Sequence, residues 1–347
     1  MQRFAKLCAL FVLFASMATT AEPVAGPAPG ASPVAVERRI VLVVDEWKAL
    51  RNLPVLVAER LGYFKEGGRD VIIVNVRDDV WHGDLVMDGR ADAVMAYWHH
   101  NAVNQSLGRD TEAIVTLGVT PGMKVLVAND AKEKFRTPTD LRGARIIAGG
   151  AGSSKSTVAN ALVLAGGLTL GDYKRLGTEG VAQNTEALRT GGADLLVTPA
   201  PDAEAYERAG VADVFADLTS LESTRQAFGV AFPTATVFMS RERVKAHPEI
   251  ARHLARAFVR ALQYMHAHSP EEIAALIPPE DMGKDRAQYL RALRDALPMF
   301  ATDGHMPPEG AAFELRVLAA FEPKLSGIAP ERTYTNDFVD EALRAQR

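Results

Sequence analysis

The sequence predicts an α/β protein with two lobes, each built on a mostly parallel sheet, followed by a helical C-terminal tail. From Arg39 onward, short apolar runs alternate with helical patterns, which is typical of strands joined by helices. This rhythm restarts near Thr137, and amphipathic helices replace strands after Ser240. A chain of 347 residues is long enough for two domains with a core in each.

The first part of the chain contains five candidate strands and two candidate helices. The strands are continuous apolar or β-branched runs, as buried parallel strands are, and the helices end at glycines. The predicted strands are Arg39–Val44, Asp70–Val76, Asp92–Ala96, Ala113–Val119 and Lys124–Ala128, and the predicted helices are Leu53–Leu61 and Leu85–Asp88.

The second part repeats this pattern, and the tail departs from it. A threonine cap followed by proline predicts a helix start at Thr137. Further strands are predicted at Ala144–Ala148, Asp194–Val197, Val211–Ala216 and Thr234–Met239, and helices at Ser154–Ala165, Val181–Thr190 and Asp202–Ala209. In the tail, helical spacing predicts Pro248–His266, Arg286–Phe300 and Gly310–Phe321, and a capping box begins at Ser269.

Composition excludes several classes of protein. Hydrophobic residues make up 48% and charged residues 24% of the chain, as in globular proteins and unlike disordered ones. The formal net charge of -4 disfavours a strongly basic nucleic-acid binder, so we predict no nucleic-acid partner. Cys8 is the single cysteine, which rules out an intrachain disulfide and a thiolate metal cluster.

The N-terminus has the pattern of a cleaved secretory signal peptide. Residues 1–21 carry Arg3 and Lys6, then a short apolar centre, then small residues that allow cleavage after Ala18 or Ala21. A membrane anchor is the alternative, but the apolar run is shorter than the roughly 20 residues that a span needs. Residues 22–37, rich in Pro, Ala and Gly, are predicted to be a flexible lead-in. The expected location is therefore the bacterial periplasm.

A glycine-rich turn at Gly149–Gly152 runs from a predicted strand into a predicted helix. Backbone N–H groups and the helix dipole at such a start attract anions. A P-loop is one alternative, but Ser154 stands where its second glycine would be. An ordinary Gly- and Ser-rich helix cap is another, and an anion or polar-ligand site remains the favoured interpretation.

Two aromatic groups follow predicted strands, where open α/β sheets bind ligands. Trp47 follows the first strand beside Asp45 and either stacks on a ligand or lies in the core. Tyr97 and Trp98 follow the third strand, before His99 and His100. Adjacent histidines point in different directions, and no HExxH motif is present, so a stacking or structural role is favoured over a metal site. We predict no metal and no cofactor.

No motif for covalent catalysis is apparent. The sequence lacks a GxSxG elbow, its only cysteine lies in the signal segment, and no pair of carboxylates stands out. No catalytic residue is therefore predicted, and the chain is expected not to be an enzyme.

Several segments together resemble the nitrate/sulfonate/taurine-type family of periplasmic substrate-binding proteins of ABC importers, whose relatives include binders of thiamine pyrimidine precursors. The similarity lies in their order and spacing along the chain. The segments are Leu53–Gly68 with its GYF-K-E-G turn, Gly89–Ala93, Asp140–Gly143, Ala187–Asp194, and Val244–Pro278 with its HPE and SPEE helix starts.

The resemblance implies a type II periplasmic-binding-protein fold, with two lobes that close around one solute. The two crossings between lobes would lie near Val119–Asp130 and Gly229–Ser240. Lobe 1 would comprise residues 38–130 and 232–347, and lobe 2 residues 131–231. The implied partners are a small-molecule solute and the ABC permease subunits of the inner membrane, and the protein is expected to be a monomer.

Matching positions place the implied ligand site where strand ends and helix starts face the cleft. Asp45, Trp47, Tyr97 and Trp98 belong to lobe 1; Ser153, Ser154, Lys155, Thr157, Gln183, Asn184 and Thr198 belong to lobe 2. The leading solute is a small organic anion such as a sulfonate, taurine or nitrate, ahead of an aromatic carboxylate or a pyrimidine. The functional alternatives are an enzyme on the same fold and a ligand-sensing subunit for a membrane kinase.

Overall fold

The structure, a computed structural model, describes residues 39–45, 49–76, 82–177, 179–283 and 285–346. The predicted signal peptide and lead-in lie outside these residues. Within them, ten strands form two five-stranded sheets flanked by helices, which confirms the predicted α/β class. None of the described helices is both long and apolar enough to cross a membrane.

Each sheet contains five strands. The strands of the second sheet are consecutive in the chain, whereas the first sheet takes β10 from after the second. The first sheet has the order β2-β1-β3-β10-β4 and the second the order β7-β6-β8-β5-β9. The strands are β1 Arg39–Asp45, β2 Asp70–Val76, β3 Ala93–Tyr97, β4 Thr111–Thr116, β5 Met123–Ala128, β6 Arg145–Ile147, β7 Lys174–Leu176, β8 Leu195–Pro199, β9 Ala212–Leu218 and β10 Ala235–Ser240.

Both sheets are mixed in the same way. In the first sheet, β1 is parallel to β2 and β3, while β10 runs antiparallel between β3 and β4. In the second, β6 is parallel to β7 and β8, while β5 runs antiparallel between β8 and β9. The sequence-based division at residue 130 differs from this pairing, because it leaves β5 with the first sheet. The apolar run of β5 is the same in either sheet, so only its hydrogen bonds reveal the assignment.

Thirteen helices surround the sheets in the described residues, and most predicted helices are present within a few residues. They are α1 Leu53–Arg60, α2 His82–Met87, α3 His99–Ser106, α4 Ser154–Ala165, α5 Val181–Arg189, α6 Ala200–Arg208, α7 Leu221–Phe228, α8 Arg241–Ala246, α9 Pro248–Ala267, α10 Pro270–Ala274, α11 Arg286–Ala296, α12 Pro308–Phe321 and α13 Asp337–Arg344.

Several elements depart from the predictions for physical reasons. The helix expected at Thr137 is only a 3-10 turn over Pro138–Asp140, closed by a capping box. Helix α11 ends at Ala296 and continues as a 3-10 turn through Pro298, since proline breaks the α-helical hydrogen-bond pattern. The polar helix α3 was not predicted, because its stability comes from tertiary contacts rather than from an apolar repeat.

Two aspartates anchor the sheets in the same manner. Asp92, just before β3, accepts hydrogen bonds from the Val41 N–H at 2.8 Å and from the Arg243 guanidinium at 2.6 Å and 2.9 Å. Asp194, just before β8, accepts from the N–H of Arg145 at 2.7 Å and from its guanidinium at 2.6 Å and 3.0 Å. Each carboxylate connects its strand to the neighbouring parallel strand. The similar segments Gly89–Ala93 and Ala187–Asp194 therefore share a structural role.

Helix α12 packs on both sheets. Leu315 and Leu318 are buried with Phe238 in a core on the first sheet, whereas Phe313 and Val317 pack with Phe228 in the core of the second. Gly310 brings the start of this helix against the chain that returns to the first sheet, where a Cβ atom would lie only 2.5 Å from the Ala231 carbonyl oxygen. Helix α12 therefore spans the seam between the two sheets.

We predict that Asp194→Asn lowers the free energy of unfolding by about 1.5–3 kcal/mol, because charge-assisted hydrogen bonds to a nearly buried carboxylate are lost. Asp194 is 11% exposed at its side chain, and Arg145 lowers its pKa against the opposing effect of burial. Urea denaturation measures the change. Asp213→Asn is the matched control, since Asp213 pairs with Lys132 at the surface and should cost less than about 1 kcal/mol. Equal losses in both variants would contradict the anchoring role.

A second prediction concerns pH. His305 lies 3.0 Å from both Asp303 and Asp340; burial opposes its charged form, but these two aspartates raise its pKa above the ordinary value. Its stabilising effect should therefore be complete below about pH 6.5, the unfolded value, and be lost as pH rises through the folded pKa.

The measurement is the difference in unfolding free energy between wild type and His305→Gln from about pH 5.5 to 8.5. Taking the difference cancels the contributions of the other histidines. This difference in unfolding free energy should fall with rising pH by no more than about 1 kcal/mol, because the histidine is partly exposed. A difference that is constant or grows with pH would show that the two aspartates do not stabilise the charged ring.

Candidate functional site

A pocket of about 310 Å³ lies where the carboxyl ends of the strands in the two sheets face each other. Tyr97, the last residue of β3, lines it from the first sheet; Pro199, the last residue of β8, and Met123, paired with it in β5, line it from the second. The tail closes one side with Ala296 and Met299, and Leu50 closes another. The lining is mainly apolar, as in small-molecule sites.

A smaller pocket of about 10 Å³ adjoins the first and shares Tyr97, Pro121 and Met123 with it. This volume is close to the least that holds one water molecule. Its remaining lining is more polar and comes from both sheets and the tail. The polar residues are His99, Ser154, Thr157, Thr234 and Glu314.

Glu314 is the most unusual of these groups. Its side chain is 2% exposed, and its Oε2 atom has no hydrogen-bond partner among the described residues. Burial raises the pKa of this carboxyl well above its ordinary value. An unpaired buried carboxylate is costly, so burial favours the protonated form of Glu314 as long as nothing positive is beside it.

His99 is the second buried titratable group of the small pocket. Burial, and to a lesser extent the neighbouring His100, lower the pKa of His99 well below its ordinary value. The ring lies 4.2 Å from the His100 ring and 5.8 Å from the Tyr97 ring, measured between centroids. His99 is therefore neutral at pH 7 and adds no positive charge to the pocket.

The threonine hydroxyl groups in the pocket already donate their protons to the backbone. Thr157 Oγ1 donates to the Ser153 carbonyl oxygen at 3.1 Å. Thr234 Oγ1 donates to the Thr120 carbonyl oxygen, also at 3.1 Å. A hydroxyl has one proton and two lone pairs, so both threonines offer the pocket acceptors rather than donors.

The predicted site residues are only partly brought together. Tyr97, Ser154 and Thr157 line the small pocket. Ser153 instead caps α4: it accepts from the Ser156 N–H and donates to the Ala148 carbonyl, each at 3.2 Å. Lys155 follows on the first turn of α4, is half-buried, and makes no ion pair within the part of the chain that the structure describes.

The other predicted residues lie away from the small pocket or outside the described residues. Trp98 is fully buried in the core, and its Nε1–H donates to Thr333 Oγ1 at 3.2 Å. Asn184 is buried and bonds the Glu179 N–H and the Tyr206 hydroxyl, while Gln183 is exposed. Thr198 is buried in β8, next to the pocket residue Pro199. The Asp45 side chain and Trp47 fall outside the described residues.

Glu314 was not among the site residues predicted from the sequence, although the sequence contains a signal for it. The buried residues of α12 include Gly310, Ala311, Leu315 and Leu318, and Glu314 lies on the same face. A single carboxylate on an apolar helix face needs a partner or a function. His99 and Thr234 carry no comparable signal, because their place at the pocket depends on how the chain crosses between the sheets. Among the described residues, no group of three His, Asp or Glu is arranged to hold a metal ion.

Comparison with known proteins gives a family and a fold. The family model described as NMT1/THI5 like matches residues 51–273, more than half of the chain. No curated protein matches the sequence.

Three solved structures show the similarity in fold. A protein from Bordetella bronchiseptica RB50 is 28% identical with a TM-score of 0.69, over 89% of this chain and 98% of that one. The periplasmic sulfonate-binding protein SsuA from Methylobacillus flagellatus KT is 14% identical with a TM-score of 0.69, over 89% and 94%. The periplasmic nitrate-binding protein NrtA from Synechocystis PCC 6803 is 14% identical with a TM-score of 0.62, over 89% of each chain.

We predict that Trp98→Phe lowers the free energy of unfolding by about 1.5–3 kcal/mol, because the indole hydrogen bond to Thr333 is lost and the smaller ring leaves a cavity in the core. Urea denaturation measures this change. Thr185→Val is a control on α5, where the hydroxyl of the half-buried Thr185 donates to the Val181 carbonyl oxygen of its own helix, and it should cost less. A Trp98→Phe protein as stable as wild type would show that neither the buried bond nor the packing of the indole stabilises the fold.

Proposed function

The chain belongs to the NMT1/THI5-like family, and we propose that it is the solute-binding component of an ABC-type importer. The observation that carries the proposal is the pocket of about 310 Å³, whose walls come from both sheets and the tail. A solute held there contacts both sheets at once, so its binding energy favours an arrangement in which they are close. The names of the sulfonate- and nitrate-binding neighbours support the same role.

We propose that the first sheet with the tail is one lobe and the second sheet with its helices the other, hinged at the two crossings. Residues 117–122 lead from β4 to β5, and residues 229–234 lead from α7 to β10. The N-terminal segment directs the chain to the periplasm as a cleaved signal, and the protein acts as a monomer that delivers its solute to the permease subunits.

Two solute classes are proposed. A small organic anion such as a sulfonate or taurine is supported by Ser154 at the start of α4 and by Lys155 beside it. An ion as small as nitrate would leave most of the larger pocket unfilled. An aromatic carboxylate or a pyrimidine is supported by Tyr97 and the apolar lining.

Two functions of other classes remain as alternatives. An enzyme on the same fold would convert its ligand, whereas a receptor returns it unchanged. A sensor subunit for a membrane kinase would bind in the same way as a transport receptor. Chemical analysis of the released ligand separates the enzyme from the receptor, and uptake by a strain that lacks the gene separates transport from sensing.

The test is thermal unfolding of the full chain expressed in a Gram-negative host, recovered from the periplasm and refolded to remove bound solute. The panel holds alkanesulfonates, taurine, nitrate, phosphonates, aromatic carboxylates and pyrimidines. A ligand at about 1,000 times its dissociation constant stabilises by about 4 kcal/mol, which raises the midpoint by several degrees. We expect one chemical class to do so; no shift from any compound would overturn the proposal.

Variants show whether the binding occurs in the described pocket. Tyr97→Ala should weaken binding of the active compound by at least about tenfold, since a pocket wall shared by both cavities is removed. Trp98→Phe is the control, because Trp98 lies next to Tyr97 in sequence but inside the core; it should retain the affinity. If both variants lost affinity for the active compound, or if neither did, the result would argue against binding in the described pocket.

A further inference from the structure

We propose that Glu314 is the residue that binds a positively charged or N–H-rich nitrogen group of the solute, such as an amine, an amidine or an aminopyrimidine. This inference rests on the proposed receptor function and goes further, since it assigns the chemistry of one end of the solute. The rest of the solute would occupy the larger pocket that adjoins the small one.

The first support is the unsatisfied carboxyl of Glu314. Its Oε2 atom is buried without a hydrogen-bond partner among the described residues, and nine-tenths or more of the side chain is covered. Folded proteins rarely leave such an atom unpaired, and a group left so invites a functional explanation. Glu314 lines the same small pocket as Ser154 and Thr157, so a partner entering between the sheets would reach it.

The second support is that the threonine hydroxyl groups around Glu314 already donate their hydrogen bonds elsewhere. Thr157 and Thr234 have given their protons to backbone carbonyls. Their oxygen lone pairs, and those of the Glu314 carboxyl once a cation displaces its proton, are acceptors in this pocket. An ammonium or amidinium group would find several acceptors at once beside Glu314, whereas an anionic group of the solute is left to Ser154 at the start of α4.

The third support is the location of Glu314 at the seam between the sheets. Its neighbours on α12 pack to both sides, Val317 into the core of the second sheet and Leu315 into that of the first. The carboxyl therefore comes from an element fixed to both sheets, and a nitrogen bound there is held at the junction. This position suits a residue that orients the solute while the sheets are together.

The experiment compares matched probes that differ only in the nitrogen group. The pairs are taurine and ethanesulfonate, 4-amino-2-methylpyrimidine and 2-methylpyrimidine, and 4-(aminomethyl)benzoate and 4-methylbenzoate. Calorimetry on the full chain should show that the amino member of one pair binds at least about tenfold more tightly than its partner. Glu314→Gln should reduce that preference by at least about tenfold and change the affinity of the partner compound by less than about threefold.

The unliganded protein gives an independent readout. If Glu314 is kept for binding, Glu314→Met removes an unpaired carboxyl, and its midpoint of unfolding should equal or exceed that of wild type. Glu309→Gln is the control on the same helix, because Glu309 is exposed and lies away from the small pocket; it should leave both the probe preference and the affinity unchanged.

The outcomes separate this inference from the proposed function. Binding without preference for the amino member, or a Glu314→Met protein that unfolds well below wild type, would overturn the role of Glu314 and leave the receptor function standing. Equal loss in the Glu314→Gln and Glu309→Gln variants would also overturn it. The absence of binding by every probe, together with a negative result for the wider panel, would overturn both.

Discussion

The packing of α12 on both sheets is the constraint on which the rest of the site depends. Its leucines are buried against the first sheet and Phe313 and Val317 against the second, and Gly310 allows the backbone to approach the returning chain. This double packing puts a side chain from the tail among groups from both sheets. Without it, the small pocket would lack the Glu314 carboxyl, which is the contribution of the tail.

The chemistry of the small pocket follows from how its groups are already bonded. Helix α4 begins with a serine whose hydroxyl is engaged with its own turn, and Thr157 is likewise engaged. A Ser- and Thr-rich helix start in a sequence suggests donors for an anion, but the available protons depend on the local hydrogen bonds. Here Ser153 and Thr157 have donated those protons to backbone carbonyl oxygens, which leaves mainly acceptors around Glu314 and the neutral His99.

Much of the fold could be predicted, because strands and long helices leave local periodic patterns. The 20-residue helix α9 is buried along the predicted stripe from Ile250 to Met265, and most predicted strands are present. The position of β5 could not be predicted, since its apolar run fits either sheet. Of the predicted site residues, Tyr97, Ser154 and Thr157 line one small pocket, and their role in binding stays a prediction. Their proximity to Glu314 depends on contacts across more than 150 residues, which no local pattern records.

The order of strands in the first sheet has a consequence for how the chain is made. Strand β10 separates β3 from β4 and pairs with both, yet it follows every strand of the second sheet along the chain. A growing polypeptide therefore cannot complete the first sheet until residue 240 has been synthesised, although most of that sheet is made within the first third of the chain. Such late, long-range pairing slows folding. The strands of the second sheet, by contrast, are all made by residue 218, so the second sheet can form while the first still lacks its central antiparallel strand.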